Sequence, residues 1–221
     1  MIIKHIRKSF ASAKECMHGG KVQEATSILG EEPLDFSASI NPLGSPPLQE
    51  LVMCELARIG HYPDNNYPGF RRAATRFTGV PEECIVPGNG SSELIRLFTE
   101  TVLDEGDVSL IPFPTFGEYE NQSRLAGAVI RSVEIGPDGL PIFRDEDLDA
   151  AKAVFICNPN NPTGKLLTKE QVTDMAEWCE RAETFLLVDE AFIELSQPEE
   201  SIALLAPRKE FLFVMRSLTK S

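Results

Sequence analysis

Apolar positions along the chain fall into two alternating periods. Leu48, Leu51, Val52, Leu56 and Ile59 recur at helical spacing, as do Leu94, Leu97, Phe98 and Val102, and later Val172, Met175, Ala176 and Cys179. Each set predicts a helix whose apolar face joins the core. Thr168-Lys169-Glu170-Gln171 predicts a capping box at the start of the third helix, in which two side chains each satisfy a backbone N–H that the first turn leaves free. Between the helices run short β-branched or aromatic stretches at 84–86, 108–111, 129–133, 153–157, 184–188 and 211–215. Several are apolar throughout, as strands buried on both faces are. The regular alternation, without repeat or low-complexity linker, predicts an α/β fold: a mainly parallel sheet with helices on both faces. Residues 1–45 break the pattern. Gly19-Gly20, Pro33, Pro42 and the following Pro46 and Pro47 predict an irregular N-terminal arm, able to lie across a site, ahead of a partial large domain over 46–221.

A chain of 221 residues is long enough for a sizeable core in one large domain, or one and a half. Its 34 acidic and 21 basic residues leave a formal charge of −13, which opposes nucleic acid or an anionic membrane as the main partner. Local basic groups must then capture any anionic substrate. Charges interrupt the apolar runs well short of the roughly 20 residues a membrane-spanning helix needs. The basic start Met1–Lys8 lacks an apolar signal core, so the expected location is cytoplasmic. The five cysteines form no C-x-x-C pair and the three histidines are scattered, so no zinc site or disulfide framework is indicated, and the thiols are expected to be free and buried.

Loop motifs lie at or near the carboxyl ends of the predicted strands, where open α/β sheets bind ligands. They are Gly88-Asn89-Gly90-Ser91-Ser92-Glu93, Pro114-Thr115-Phe116-Gly117-Glu118-Tyr119, Asn158-Pro159-Asn160-Asn161-Pro162-Thr163-Gly164, Val188-Asp189-Glu190-Ala191-Phe192 and Arg216-Ser217-Leu218-Thr219-Lys220. In this order they resemble the fold-type I pyridoxal-phosphate enzymes, and the resemblance runs from His18 to the end of the chain. It implies pyridoxal 5'-phosphate as cofactor, bound through an imine to Lys220. Asp189 then holds the ring nitrogen protonated, Asn161 bonds the phenolic oxygen and Phe116 stacks on the ring. Gly90 and Ser91, opening a helix, cradle the phosphate with backbone N–H groups, with the Ser217 and Thr219 hydroxyls close by. Tyr62, in His61-Tyr62-Pro63-Asp64, corresponds to a tyrosine that reaches the same phosphate across a homodimer interface.

Within the family the chain is most similar to the histidinol-phosphate aminotransferase branch and its relative, the L-threonine-O-3-phosphate decarboxylase of cobalamin synthesis. Three features favour the decarboxylase. His18-Gly19-Gly20 resembles a motif whose histidine faces the substrate phosphate. Asp35–Gly44, containing Ser39, resembles the next motif. Phe192 stands where the aminotransferases usually carry a tyrosine that bonds the phenolic oxygen. The resemblance therefore implies a small phosphorylated amino-acid substrate, met by His18, Ser39 and Asn161. The reaction implied is loss of CO₂ from O-phospho-L-threonine to give (R)-1-amino-2-propanol O-2-phosphate, with transamination of histidinol phosphate as the alternative. Family members continue past the lysine with a second phosphate-contacting arginine and a small domain whose arginine clamps the substrate carboxylate. A non-catalytic remnant is thus a further reading. A nucleotide-binding module built on Gly88-Asn89-Gly90 lacks a full G-x-G-x-x-G and leaves Asn161, Asp189 and Lys220 unexplained.

Overall fold

The structure is a computed structural model that describes residues 7–11, 13, 19–39, 41, 44, 46–144, 146–147 and 150–220. Five strands form one fully parallel sheet in the order β2-β1-β3-β4-β5: β1 Val108–Phe113, β2 Val129–Glu134, β3 Ala151–Cys157, β4 Phe185–Asp189 and β5 Leu212–Met215. The α-helices that accompany it include α1 Lys8–Ala11, α2 Val22–Leu29, α3 Gln49–Leu56, α4 Pro68–Thr78, α5 Ser91–Val102, α6 Glu118–Ala126 and α7 Lys169–Arg181.

Side chains alternate across the strands and build two cores. On one face Leu110, Val154, Ile156, Leu186, Val188 and Leu212 pack against Val172, Met175, Ala176 and Cys179 of α7. On the other, Ile111, Ala153, Phe155, Cys157, Leu187 and Met215 pack against Ile95, Phe98 and Val102 of α5 and Tyr119 and Ala126 of α6. Phe98 stands edge-on to Phe155 and lies 5.2 Å from Phe213, which seats α5 under the β3–β5 side of the sheet. The expected two-sided α/β architecture is therefore present. Thr168 caps α7 as its spacing predicts: its hydroxyl accepts from Gln171 N, and the Gln171 side chain accepts from Thr168 N.

Three expectations need correction. The stretch 84–86 forms no strand; Glu82–Cys84 is a short 3₁₀ turn and Val86 is exposed. Pro81 and Pro87 bracket it, and proline has no N–H to give to a ladder. Helix α3 forms, but Leu51, Val52 and Leu56, with the flanking Leu48 and Ile59, are exposed instead of joining the core. Of the described cysteines, Cys157 and Cys179 are buried free thiols, each pushed up to about 12 by burial, while Cys54 and Cys84 are exposed. Among the described residues no helix is long and apolar enough to cross a membrane.

Candidate functional site

The strand order creates the site. From β1 the chain crosses outward to β2, then returns past β1 to β3 on its other flank. The loops leaving β1 and β3 therefore diverge at their carboxyl ends and open a crevice, the place where parallel sheets take ligands. Phe116 follows β1, Asn161 follows β3, Asp189 ends β4, and Ser217, Thr219 and Lys220 follow β5. All lie at one edge. Helix α5 enters β1 after only the segment 103–107, so it runs against the strands and brings Gly90 and Ser91 to the same edge.

Asp189 is 3 % exposed and points into the α5/α6 core. Its Oδ2 accepts from the Tyr119 hydroxyl at 2.7 Å and its Oδ1 from Ala191 N at 2.9 Å. Burial raises the carboxyl above its ordinary range, while the Tyr119 hydroxyl and the Ala191 N–H pull it back. No cation pairs with it among the described residues. Glu190, one residue on, faces the opposite side as strand alternation requires. It accepts from Ser201 Oγ at 2.6 Å and Ile202 N at 2.8 Å and pairs with Arg216 at 3.6 Å. Arg216 also bridges to Glu194 and lies over the Phe77 ring, pinning the start of the last loop.

Asparagines join the loops. Buried Asn158 exchanges two side-chain bonds with the Leu167 backbone and donates its own N–H to Asp189 O at 2.8 Å. Asn160 accepts from Thr115 Oγ1 at 2.8 Å and donates to Pro114 O at 3.0 Å and Thr163 Oγ1 at 2.9 Å, tying the β1 loop to the β3 loop. Asn161 follows directly, with its backbone N–H facing the sulfur of Cys157, the register partner of Asp189. Phe116 stands edge-on to Tyr119, with ring centroids 5.6 Å apart. Three side-chain bonds at about 0.5–1.5 kcal/mol each lead us to expect Asn160→Ala to lower stability by about 1.5–4.5 kcal/mol in denaturant unfolding. An unchanged midpoint would show that the two loops hold each other without the amide.

Lys220 Nζ donates to the Ser39 carbonyl at 3.2 Å and lies 5.6 Å from the centre of the Phe192 ring. The segment carrying Ser39 thus reaches the site, contributing here a carbonyl and not a hydroxyl. It is shaped by Asp35, whose Oδ1 accepts from Ser37 N and Oγ. The Ser217 and Thr219 hydroxyls lie 2.9 Å apart. At the start of α5, Gly90 has φ +84° and open space where a Cβ would stand; its N–H donates to Gly88 O at 3.0 Å, and no side chain caps the first turn of the helix. Glu93 folds back to accept from Asn89 N.

Two expected contacts are not tested by this single described chain, one because it is expected across a homodimer interface and one because of its position. Tyr62 is fully exposed and lines a separate hollow of about 960 Å³ with Leu48, Leu51, Val52, Leu56 and Ile59. His18 lies outside the described residues. Tyr119, Asn158 and Asn160 were not singled out from the sequence. Tyr119 falls one helical turn beyond Phe116, a spacing that carries both rings toward one face, and the two asparagines belong to the same motif as Asn161.

A family model described as aminotransferase class I and II matches residues 49–221. A threonine-phosphate decarboxylase from Salmonella typhimurium is 35% identical over 214 residues, covering 92% of this chain and 57% of that protein. A histidinol-phosphate aminotransferase from Methanococcus aeolicus is 27% identical over 225 residues, covering 99% and 60%. The chain thus spans about three-fifths of the length of these relatives. Among solved structures, histidinol-phosphate aminotransferase from Sinorhizobium meliloti in complex with pyridoxal-5'-phosphate superposes with a TM-score of 0.83 at 18% identity, covering 97% of this chain and 59% of that one. With the parallel sheet, the crevice and the family match in agreement, the chain belongs to the class I and II aminotransferase family.

Proposed function

We propose that the full-length protein is a pyridoxal-phosphate-dependent decarboxylase of O-phospho-L-threonine. Membership in the family indicates pyridoxal 5'-phosphate as the cofactor. The residues present fit it. A buried carboxylate whose charge is opposed by burial, and which has two neutral donors among the described residues, is completed by a cationic N–H such as that of a protonated pyridine. In the proposal Asp189 holds that nitrogen, Asn161 the phenolic oxygen and Phe116 a ring face. The N–H groups at Gly90 and Ser91 receive the phosphate with Ser217 and Thr219, and Lys220 provides the covalent link. When bound, the cofactor supplies an electron sink for bonds broken at the substrate Cα. Lys220 then moves protons at Cα, and Ser39 lies beside its amine.

The observation that carries the decarboxylase reading is Phe192. Its ring lies against Lys220 and offers no hydroxyl to the phenolic oxygen. The identity to a threonine-phosphate decarboxylase supports the same assignment. Transamination of histidinol phosphate is the second reading, supported by aminotransferase relatives that match almost the whole chain. A homodimer and a cytoplasmic location belong to the proposal. Exposed Tyr62 and the apolar surface of α3 suit a contact between copies, and His18 completes the grip on the substrate phosphate.

A matched assay of the full-length protein tests the reaction. We expect CO₂ release from O-phospho-L-threonine and no amino transfer between histidinol phosphate and 2-oxoglutarate. Dominant transamination would overturn the decarboxylase assignment and leave the cofactor assignment intact.

A further inference from the structure

We propose that Tyr119 is a positioning residue of this site, its hydroxyl fixing the Asp189 carboxylate in the orientation that receives the cofactor nitrogen. The inference rests on the reading of Asp189 given above. Tyr119 is buried completely, an unusual place for a phenol unless its hydroxyl is bonded. That bond goes to Asp189 Oδ2 at 2.7 Å, a charge-assisted contact linking residues 70 apart in sequence. The ring is held from two sides: stacked on Phe155 at 5.4 Å with planes 20° apart, and edge-on to Phe116. The phenol therefore has little freedom to turn away from the carboxylate. Ala191 N holds the other oxygen, so both C–O directions of Asp189 are set. Each oxygen keeps a lone pair for a further donor.

The direction of the bond is set as well. Burial, then the Asp189 charge and the nearby Cys157, hold the phenol well above its ordinary value, so Tyr119 stays protonated and donates. Cys157 shares the pocket, is pushed up to about 12 and donates to Pro159 O at 3.3 Å; its sulfur also lies against the Tyr119 hydroxyl, but a thiol sulfur is a weak acceptor and the Asp189 oxygen at 2.7 Å is the stronger one. Among the described residues the titratable groups facing Asp189 are thus Tyr119 from α6 and Cys157 from β3, with Glu190 beside it on β4. The first two remain neutral at physiological pH.

The test uses the full-length protein and four forms: wild type, Tyr119→Phe, Asp189→Asn and the double variant. Phenylalanine keeps both ring contacts and removes only the hydroxyl. Cofactor dissociation constants are measured by titration with pyridoxal 5'-phosphate across pH. Loss of one bond to a charged group predicts binding weakened about tenfold or more by Tyr119→Phe at pH 7. The acid-side loss of affinity should move to higher pH, because a carboxylate with one donor fewer protonates more readily. In the Asp189→Asn background the same substitution should change affinity less than about twofold. Equal weakening in both backgrounds would reduce Tyr119 to a packing residue, and unchanged affinity and pH profile in Tyr119→Phe would overturn the proposal alone. If Asp189→Asn itself leaves cofactor affinity unchanged, the reading of Asp189 and the role of Tyr119 fall together.

Discussion

Replacing Lys220 by alanine in the full-length protein is expected to remove the visible absorption band of the lysine-bound cofactor and to lower turnover by at least on the order of 10³-fold. Two contributions vanish together: the covalent link and the amine that moves protons at the substrate Cα, the latter alone accounting for about 10²–10⁴-fold. Lys220→Arg separates chemistry from charge. A guanidinium can still face the Ser39 carbonyl and the Phe192 ring, but it stays protonated and cannot form the imine. Both variants should therefore lose the band. Cofactor should still bind non-covalently through Asp189, Asn161 and the start of α5, at reduced affinity. A visible band surviving in Lys220→Ala would transfer the link to another lysine. Lys165, whose carbonyl accepts from Asn160 N in the adjoining loop, would be the first to test.

The fold was legible where local chemistry and burial agree. The Thr168 capping box, the apolar face of α7 and the uninterrupted runs of β3 and β4 each depend on neighbours within one turn or one strand, so spacing alone specifies them. Where the outcome depends on what lies opposite, spacing is silent. The apolar stripe of α3 has the right period, yet a period names a face and not the partner that covers it. Residues 84–86 have strand composition, but a strand exists only with a ladder beside it, and here two prolines bracket the segment. The site was legible in the same partial way. Asp189, Asn161, Phe116 and Lys220 stand out because each falls at the carboxyl edge within a recognisable motif. Tyr119 and Asn160 do not, since their partners, 70 and 45 or 46 residues away, are set by the return of the chain across β1. Sequence distance hides such contacts even when both ends sit in motifs already marked as important.

Asp189→Asn is expected to separate function from stability in opposite directions. Turnover of the full-length protein should fall on the order of 10²–10³-fold, the scale on which a preorganised charge acts, because a neutral amide cannot hold the ring nitrogen protonated. The cofactor-free fold should become more stable at neutral pH. Burial is the largest influence on the Asp189 carboxyl and raises it above the unfolded value of 3.8, outweighing the bonds from Tyr119 and Ala191. The native state therefore binds more protons than the unfolded state between those two values. Its stability is fully present below pH 3.8 and declines as pH rises through the folded value. An asparagine carries no charge to bury; its Oδ1 can accept from Ala191 N while its amide donates to the Tyr119 oxygen. The melting midpoint of the cofactor-free variant should thus exceed that of wild type at pH 7, and the gap should narrow steadily as the pH is lowered toward 4. Added pyridoxal 5'-phosphate should reverse the order, because it stabilises the wild-type fold by binding to it and binds the variant less tightly. Near-normal turnover would remove Asp189 from the chemistry. A variant less stable than wild type at pH 7 without cofactor would show that the two hydrogen bonds, and not burial of charge, dominate the carboxylate. In that case Tyr119 would be a stabiliser of the fold in its own right, and the uncompensated charge that draws a cation to this crevice would have to be sought elsewhere along the edge.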